Sequence, residues 1–131
     1  KMANPNIVAV TNILGGNLGF NLTATATDTL LTVDANKLVK INRITVANVD
    51  GTNDATFDLF VDGLGAGAAG ISPNAQDATV YLAKTVNVPA DSTLVVVDSP
   101  MYLMEADILK GGASAAGDLD LFISYEVIDN A

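Results

Sequence analysis

Carboxylates are the main reactive side chains this sequence offers. It holds fifteen Asp and Glu against six Lys and Arg, and no His, Cys or Trp. Without histidine the commonest general base and a frequent metal ligand are missing. Without cysteine there can be no disulfide, thiolate metal site or Cys–His nucleophile, and a Ser-His-Asp triad is excluded as well. Paired acids leave acid–base chemistry formally open, with Glu105, Asp107, Asp118 and Asp120 as the candidates. All four fall at predicted strand ends or on polar faces, where solvated acids are the expectation. Glycosidase clefts also add aromatic platforms and more chain. The sequence therefore reads as non-enzymatic, with no catalytic residue and no cofactor assigned.

Oxygen-only side chains suit calcium. The weak candidates are Asp50, Asn53 and Asp54, clustered in one turn, with Glu105 and Asp107 in another. Neither group has EF-hand spacing, and Asp-Gly and Asn-Asp are ordinary turn material, so the turn reading leads. The run from Gly63 to Gly70 contains G-x-G-x-x-G, at Gly65, Gly67 and Gly70, but carries no Lys and precedes no predicted helix, which makes it a poor phosphate cradle. It opens a long loop, 63–77, expected to be mobile. One reading is a floppy hairpin tip. The other is an arm, with Leu64, Gly65, Ala66 and Gly67 as interface candidates, that orders against a neighbouring subunit. The sequon Asn21-Leu22-Thr23 matters only in a chain secreted from a eukaryotic cell.

The elements that would position these groups are strands. From Asp118 to Ile128 the residues alternate, placing Leu119, Leu121, Ile123, Tyr125 and Val127 on one face. Phe122 interrupts the polar face, and an exposed Phe there suits a subunit contact. Ala55 to Val61 alternates likewise, with Ala55, Phe57, Leu59 and Val61 inward. Leu38 to Val49 reads as a long strand whose apolar phase shifts near Asn42 and Arg43, the mark of a bulge. The turn formers Asp50 to Asp54 join these two, predicting a hairpin. Further strands are predicted at 7–12, 20–27, 29–33, 78–88, 92–98, 101–105 and 108–114. Eight to ten short strands with no helical period give a single all-β domain, an antiparallel β-sandwich of jelly-roll type.

At 131 residues the chain fits one domain. Half its residues are hydrophobic and the mean hydropathy is +0.38, which argues against disorder. Aromatics make up only 5%, so the core must be aliphatic, and self-association would help to stabilise it. The formal net charge of −9 disfavours nucleic acid and anionic membranes. The one basic cluster, Lys37, Lys40 and Arg43, is flanked by Asp34 and Asp50. No apolar run is long enough to span a bilayer, and no signal peptide is visible. Residues 1–5 are expected to be disordered or tag-derived, with Lys1 preceding Met2.

From Val88 to Ile128 the chain resembles small virion structural proteins of tailed phages, especially marine and cyanobacterial ones. The resemblance runs through Val88-Pro89-Ala90-Asp91, the apolar strand to Asp98, and Met101-Tyr102-Leu103-Met104-Glu105-Ala106-Asp107. It continues through the small-residue turn Ala115-Ala116-Gly117 into the final alternating strand. Ala106 stands where Gly would better suit the Glu-x-Asp turn. The resemblance implies a β-sandwich located in the virion, decorating the head or forming part of the neck or tail. Its implied partners are copies of itself, a trimer being favoured, and other virion proteins. A carbohydrate- or surface-binding module is the alternative. Such a module would have to rely on Tyr81 and Tyr102, since Tyr125 falls on the predicted core face.

Overall fold

A computed structural model describes residues 7–65, 67 and 70–129. The residues expected to be disordered or tag-derived, and Ala66, lie outside that set. Nine strands form: β1 (Asn12–Asn21), β2 (Asp28–Thr32), β3 (Lys37–Asn48), β4 (Ala55–Asp62), β5 (Val80–Val88), β6 (Thr93–Val97), β7 (Met101–Leu103), β8 (Ile108–Ala113) and β9 (Leu119–Asp129). One sheet runs β1-β9-β3-β6, with β7 also on β3, and the other runs β2-β8-β4-β5. All pairings are antiparallel. Only β4–β5 and β6–β7 join strands of one sheet; every other connection crosses the sandwich. This is the jelly-roll winding. Among the described residues there is no helix.

The alternating strands meet face to face. Ile41, Ile44 and Val46 of β3, with Leu119, Leu121 and Ile123 of β9, pack against Phe57, Leu59 and Val61 of β4 and Leu109 of β8. Phe57 is the largest fully buried side chain, and the other fully buried hydrophobic side chains among the described residues are aliphatic. The expected bulge is present, since the β3–β9 register shifts between Ile41 and Arg43. Asn42 is the extra residue, which returns Ile44 to the core face.

Three sequence expectations need correction. β3 and β4 do not form a hairpin; they lie in different sheets. Each carries a fully apolar face, and those faces bury by stacking across the sandwich. Turn residues at 50–54 serve such a corner as well as they serve a hairpin. The stretches 7–12 and 20–27 are not strands of their own. Instead β1 occupies Asn12–Asn21, and the Thr-rich segment forms the crossover to β2. There Thr25 N–H donates to Thr23 Oγ1 at 3.1 Å, and the Thr23 hydroxyl donates to Asp28. Local side-chain bonds of this kind compete with a strand ladder. Finally, Glu105 and Asp107 are buried, not solvated. Asp107 Oδ2 accepts the Met104 N–H at 2.8 Å, and Glu105 Oε2 accepts the Asn36 N–H at 2.9 Å. Both carboxylates thus bind backbone donors of tight turns. Ala106, between them, has a φ of 72°, the left-handed conformation in which Gly would be unstrained.

Partly exposed carboxylates also fasten strand ends and turns. Lys110 donates to Asp62 Oδ2 at 2.9 Å, and Asp62 Oδ1 accepts from Thr79 Oγ1 and Gly63 N–H, both at 2.9 Å. The Lys110 hydrogen bond, followed by those from Thr79 and Gly63, holds the Asp62 carboxyl below its usual range. Asp50 is lowered as well, first by the Asn53 side-chain amide and then by the Thr52 and Asn53 N–H groups. A carboxyl with a depressed folded value contributes stability that is fully present above the unfolded value, about 4, and is lost as pH falls through the folded one. The melting temperature should therefore drop on acidification below about pH 4. Asp62→Asn should melt lower than the unmodified protein at pH 7, and the gap should close in acid. A gap that persisted at the acid limit would show that Asp62 acts through something other than its charge.

Candidate functional site

The turn proposed for calcium is built from internal hydrogen bonds. Asp50 Oδ1 accepts from Thr52 N–H at 2.8 Å and Asn53 N–H at 3.3 Å, while its Oδ2 accepts from Asn53 Nδ2 at 3.1 Å. Asp54 turns the other way. It accepts from Ala90 N–H at 3.0 Å and Asn87 Nδ2 at 3.3 Å, fastening the corner to β5 and the turn after it. The two carboxylates do not converge on a common point. Among the described residues, no group of three or more acids is arranged to hold a metal ion.

The other candidates scatter. Asp120 is exposed and accepts from Asn21 Nδ2 at 2.7 Å. Lys37 is paired with Asp129 at 2.9 Å, which divides the basic cluster. Tyr81 stacks on Phe60 with ring centroids 4.8 Å apart, and Lys84 Nζ sits 4.6 Å over its ring. Tyr102 lies on β7, in the other sheet. The two exposed tyrosines therefore cannot form one stacking platform for a sugar. Leu64 follows β4 and packs against the core, whereas Phe122 is on the outside of the opposite sheet. These interface candidates do not share a face.

What the strand registers do assemble is a band across the outside of the β1-β9-β3-β6 sheet. Gly19 pairs with Phe122, Phe122 with Thr45, and Thr45 with Val95, one residue from each of four neighbouring strands. Directly opposite residues share a face, so the Phe122 ring stands between a glycine and a threonine. A side-chain carbon at Gly19 would lie 3.9 Å from Phe122 Cδ1, so the ring reaches over the bare glycine backbone. Phe122 is 48% exposed, and Val95 and Tyr102 are exposed too. In a neighbouring row Gly15, Glu126, Lys40 and Tyr102 align. In comparisons with known proteins, no family model, curated protein or solved structure matches the chain. The band is apolar at Phe122 and Val95 and polar at Arg43, Ser124 and Asn17.

Sequence reasoning found Phe122 because it breaks the polar alternation of β9. It missed Val95 and the Gly19 gap, since only the cross-strand register brings them beside Phe122. The signal within reach was the unusually small outward set of β1, namely Gly15, Asn17 and Gly19.

Proposed function

We propose that the chain is a non-enzymatic structural component of a phage particle, decorating the head or forming part of the neck or tail. It acts by self-association and by contacts with other virion proteins. The resemblance of Val88–Ile128 to such proteins motivates this reading, and the Phe122 band is the observation that supports it most. An aromatic ring held in the open on a rigid sheet, flanked by small residues, is an anchor that a partner surface can cover. The buried acids serve turns, which leaves surface contact as the better-supported mode of action.

The test is mass spectrometry of gradient-purified particles of the phage that encodes the chain, followed by rebinding of purified protein to particles lacking it. The protein should be present in the particles. Phe122→Asp, folded by circular dichroism, should rebind at least tenfold more weakly, since a buried charge without a partner costs more than the roughly 1.4 kcal/mol that tenfold represents. Absence from the particles would sink the reading.

A further inference from the structure

We infer that two copies of this chain associate through β1, pairing edge to edge about a two-fold axis at Asn17. The inference rests on the self-association part of the function proposed above and gives it a surface. It starts from how the four sheet edges differ. An open edge strand is a template for another chain, and proteins blunt such edges with charge, proline, bulges or shortness. The β2 edge is five residues long, begins with Asp28 and shifts register between Thr29 and Leu31. The β5 edge carries Lys84, two register shifts and Thr85 at a φ of 51°. The β6–β7 edge is interrupted at Ser99-Pro100 and shifts register between Ile44 and Thr45. β1 has none of these devices. Its ten residues pair with β9 without a shift, and no charged residue or proline lies between Asn12 and Asn21.

Charge selects the same strip. The molecule carries a net −9, so two copies repel wherever their acids face each other. Residues 2–27 contain no ionisable side chain, and β1 lies in the middle of that stretch. A neutral edge is the place where two copies of an acidic protein can approach.

The backbone phase is compatible. Leu22 N–H donates to Leu119 O at 2.8 Å, just past the last β1–β9 pair. By alternation the even-numbered residues of β1 bond to β9, and Ile13, Gly15, Asn17, Gly19 and Asn21 turn their N–H and C=O groups outward. With Asn17 opposite itself, Ile13 pairs with Asn21 of the second copy and Gly15 with Gly19, so each outward group gains a partner. On the core-side face Leu14 falls opposite Phe20. Leu14 is 59% exposed in the single chain, and Phe20 is only partly buried at the edge of the core. Pairing covers both and continues the sheet from one protomer into the next. The contact is isologous and closes as a dimer, so it replaces the three-fold ring that the family resemblance implies.

The chain has no cysteine, which makes single-cysteine cross-linking direct. Asn17→Cys would face its copy at a Cα separation of about 5.5 Å, within disulfide reach. Mild oxidation should give a covalent dimer, while Asp98→Cys, on the opposite edge, should not. Light scattering should report a dimer for the unmodified protein. Asn17→Pro removes only an outward N–H, so it should be monomeric with an unchanged circular dichroism spectrum. A monomer at all concentrations, a trimer, a dimer that survives Asn17→Pro, or failure of Asn17→Cys to cross-link would each overturn β1 pairing. The presence of the protein in particles is read separately, so a virion protein with no β1 dimer would leave the function standing and remove only this contact.

Discussion

Gly111→Ala is expected to leave little or no folded protein under conditions where Gly15→Ala is fully native. Gly111 lies on β8, opposite Leu59 of β4 and Asp28 of β2, in the interior of its sheet. A methyl group there would be driven into the carbonyl oxygen of Asp58, with Asp58 C at 3.2 Å and Leu59 Cα at 3.3 Å. Every obstructing atom is backbone, so no rotamer change relieves the clash. The alternative is to pull β4 away from β8, and β4 carries Phe57, Leu59 and Val61 of the core. Overpacking that side chains can absorb costs about 1–3 kcal/mol; separating two central strands should exceed that. Gly112→Ala makes a useful contrast. Its methyl also meets backbone, the Thr25 carbonyl and Ala26 Cα, but these atoms belong to the exposed crossover between β1 and β2 and not to a central strand. That segment can shift, so Gly112→Ala should fold with a measurable loss. A methyl at Gly15 meets nothing within 4 Å and should be neutral or slightly stabilising. Urea melts of the three variants should rank them in that order. A native-like Gly111→Ala would mean that β4 and β8 are held less tightly than their shared core implies.

The glycines also explain how much of the fold was legible. β4 and β9 could be read because each buries one face, and period-two alternation survives in a linear sequence. β3 could be read even through its bulge, because the phase shift at Asn42 leaves Ile44 and Val46 where a displaced register needs them. β1 could not, since Gly15, Gly16 and Gly19 remove the residues that signal a strand. Gly16 is small for a tertiary reason: a side-chain carbon there would come within 2.8 Å of Tyr125 Oη. The misread corner at Asp50–Asp54 has a different cause. A turn states that the chain reverses, but whether the next strand lies beside the last or across the sandwich depends on which faces bury together. Glu105 and Asp107 misled for a third reason. Their polarity suggested solvent, while Asp107 accepts the Met104 N–H of its own turn and Glu105 accepts from Asn36 in a loop distant in sequence. The candidate site divides along the same line. Phe122 is an anomaly within one strand and was visible, whereas Val95, Gly19 and the unblunted β1 edge acquire meaning only from neighbours distant in sequence.

Asn48 is a residue no motif would single out, yet replacing it should cost nearly as much as a large core truncation. It ends β3, is only 4% exposed, and stands where the chain leaves one sheet for the other. Its Nδ2 donates to Val88 O at 2.9 Å and to Asn53 O at 3.0 Å, while its Oδ1 accepts the Asp50 N–H at 2.9 Å. One side chain thus connects the end of β3 to the end of β5 in the opposite sheet and shapes the corner between them. Asn48→Leu fills a similar volume but leaves two carbonyls and one N–H without that partner. The bond to Val88 O is buried, and stranding that carbonyl costs about 1–3 kcal/mol; the bonds to Asn53 O and Asp50 N–H are part-buried and add less, so the total should be about 2–3 kcal/mol. Asn48→Asp separates the contributions. It keeps an acceptor for Asp50 N–H, loses both donors, and sets a carboxylate against two carbonyl oxygens. At pH 7 it should therefore be at least as destabilised as Asn48→Leu, recovering part of the loss in mild acid as the carboxyl protonates and can donate again. Denaturant midpoints for both variants across pH 4–7 would decide this. If Asn48→Asp were the milder change at pH 7, the acceptor bond to Asp50 would be the one that matters, and the corner, rather than the bridge to β5, would be what Asn48 holds.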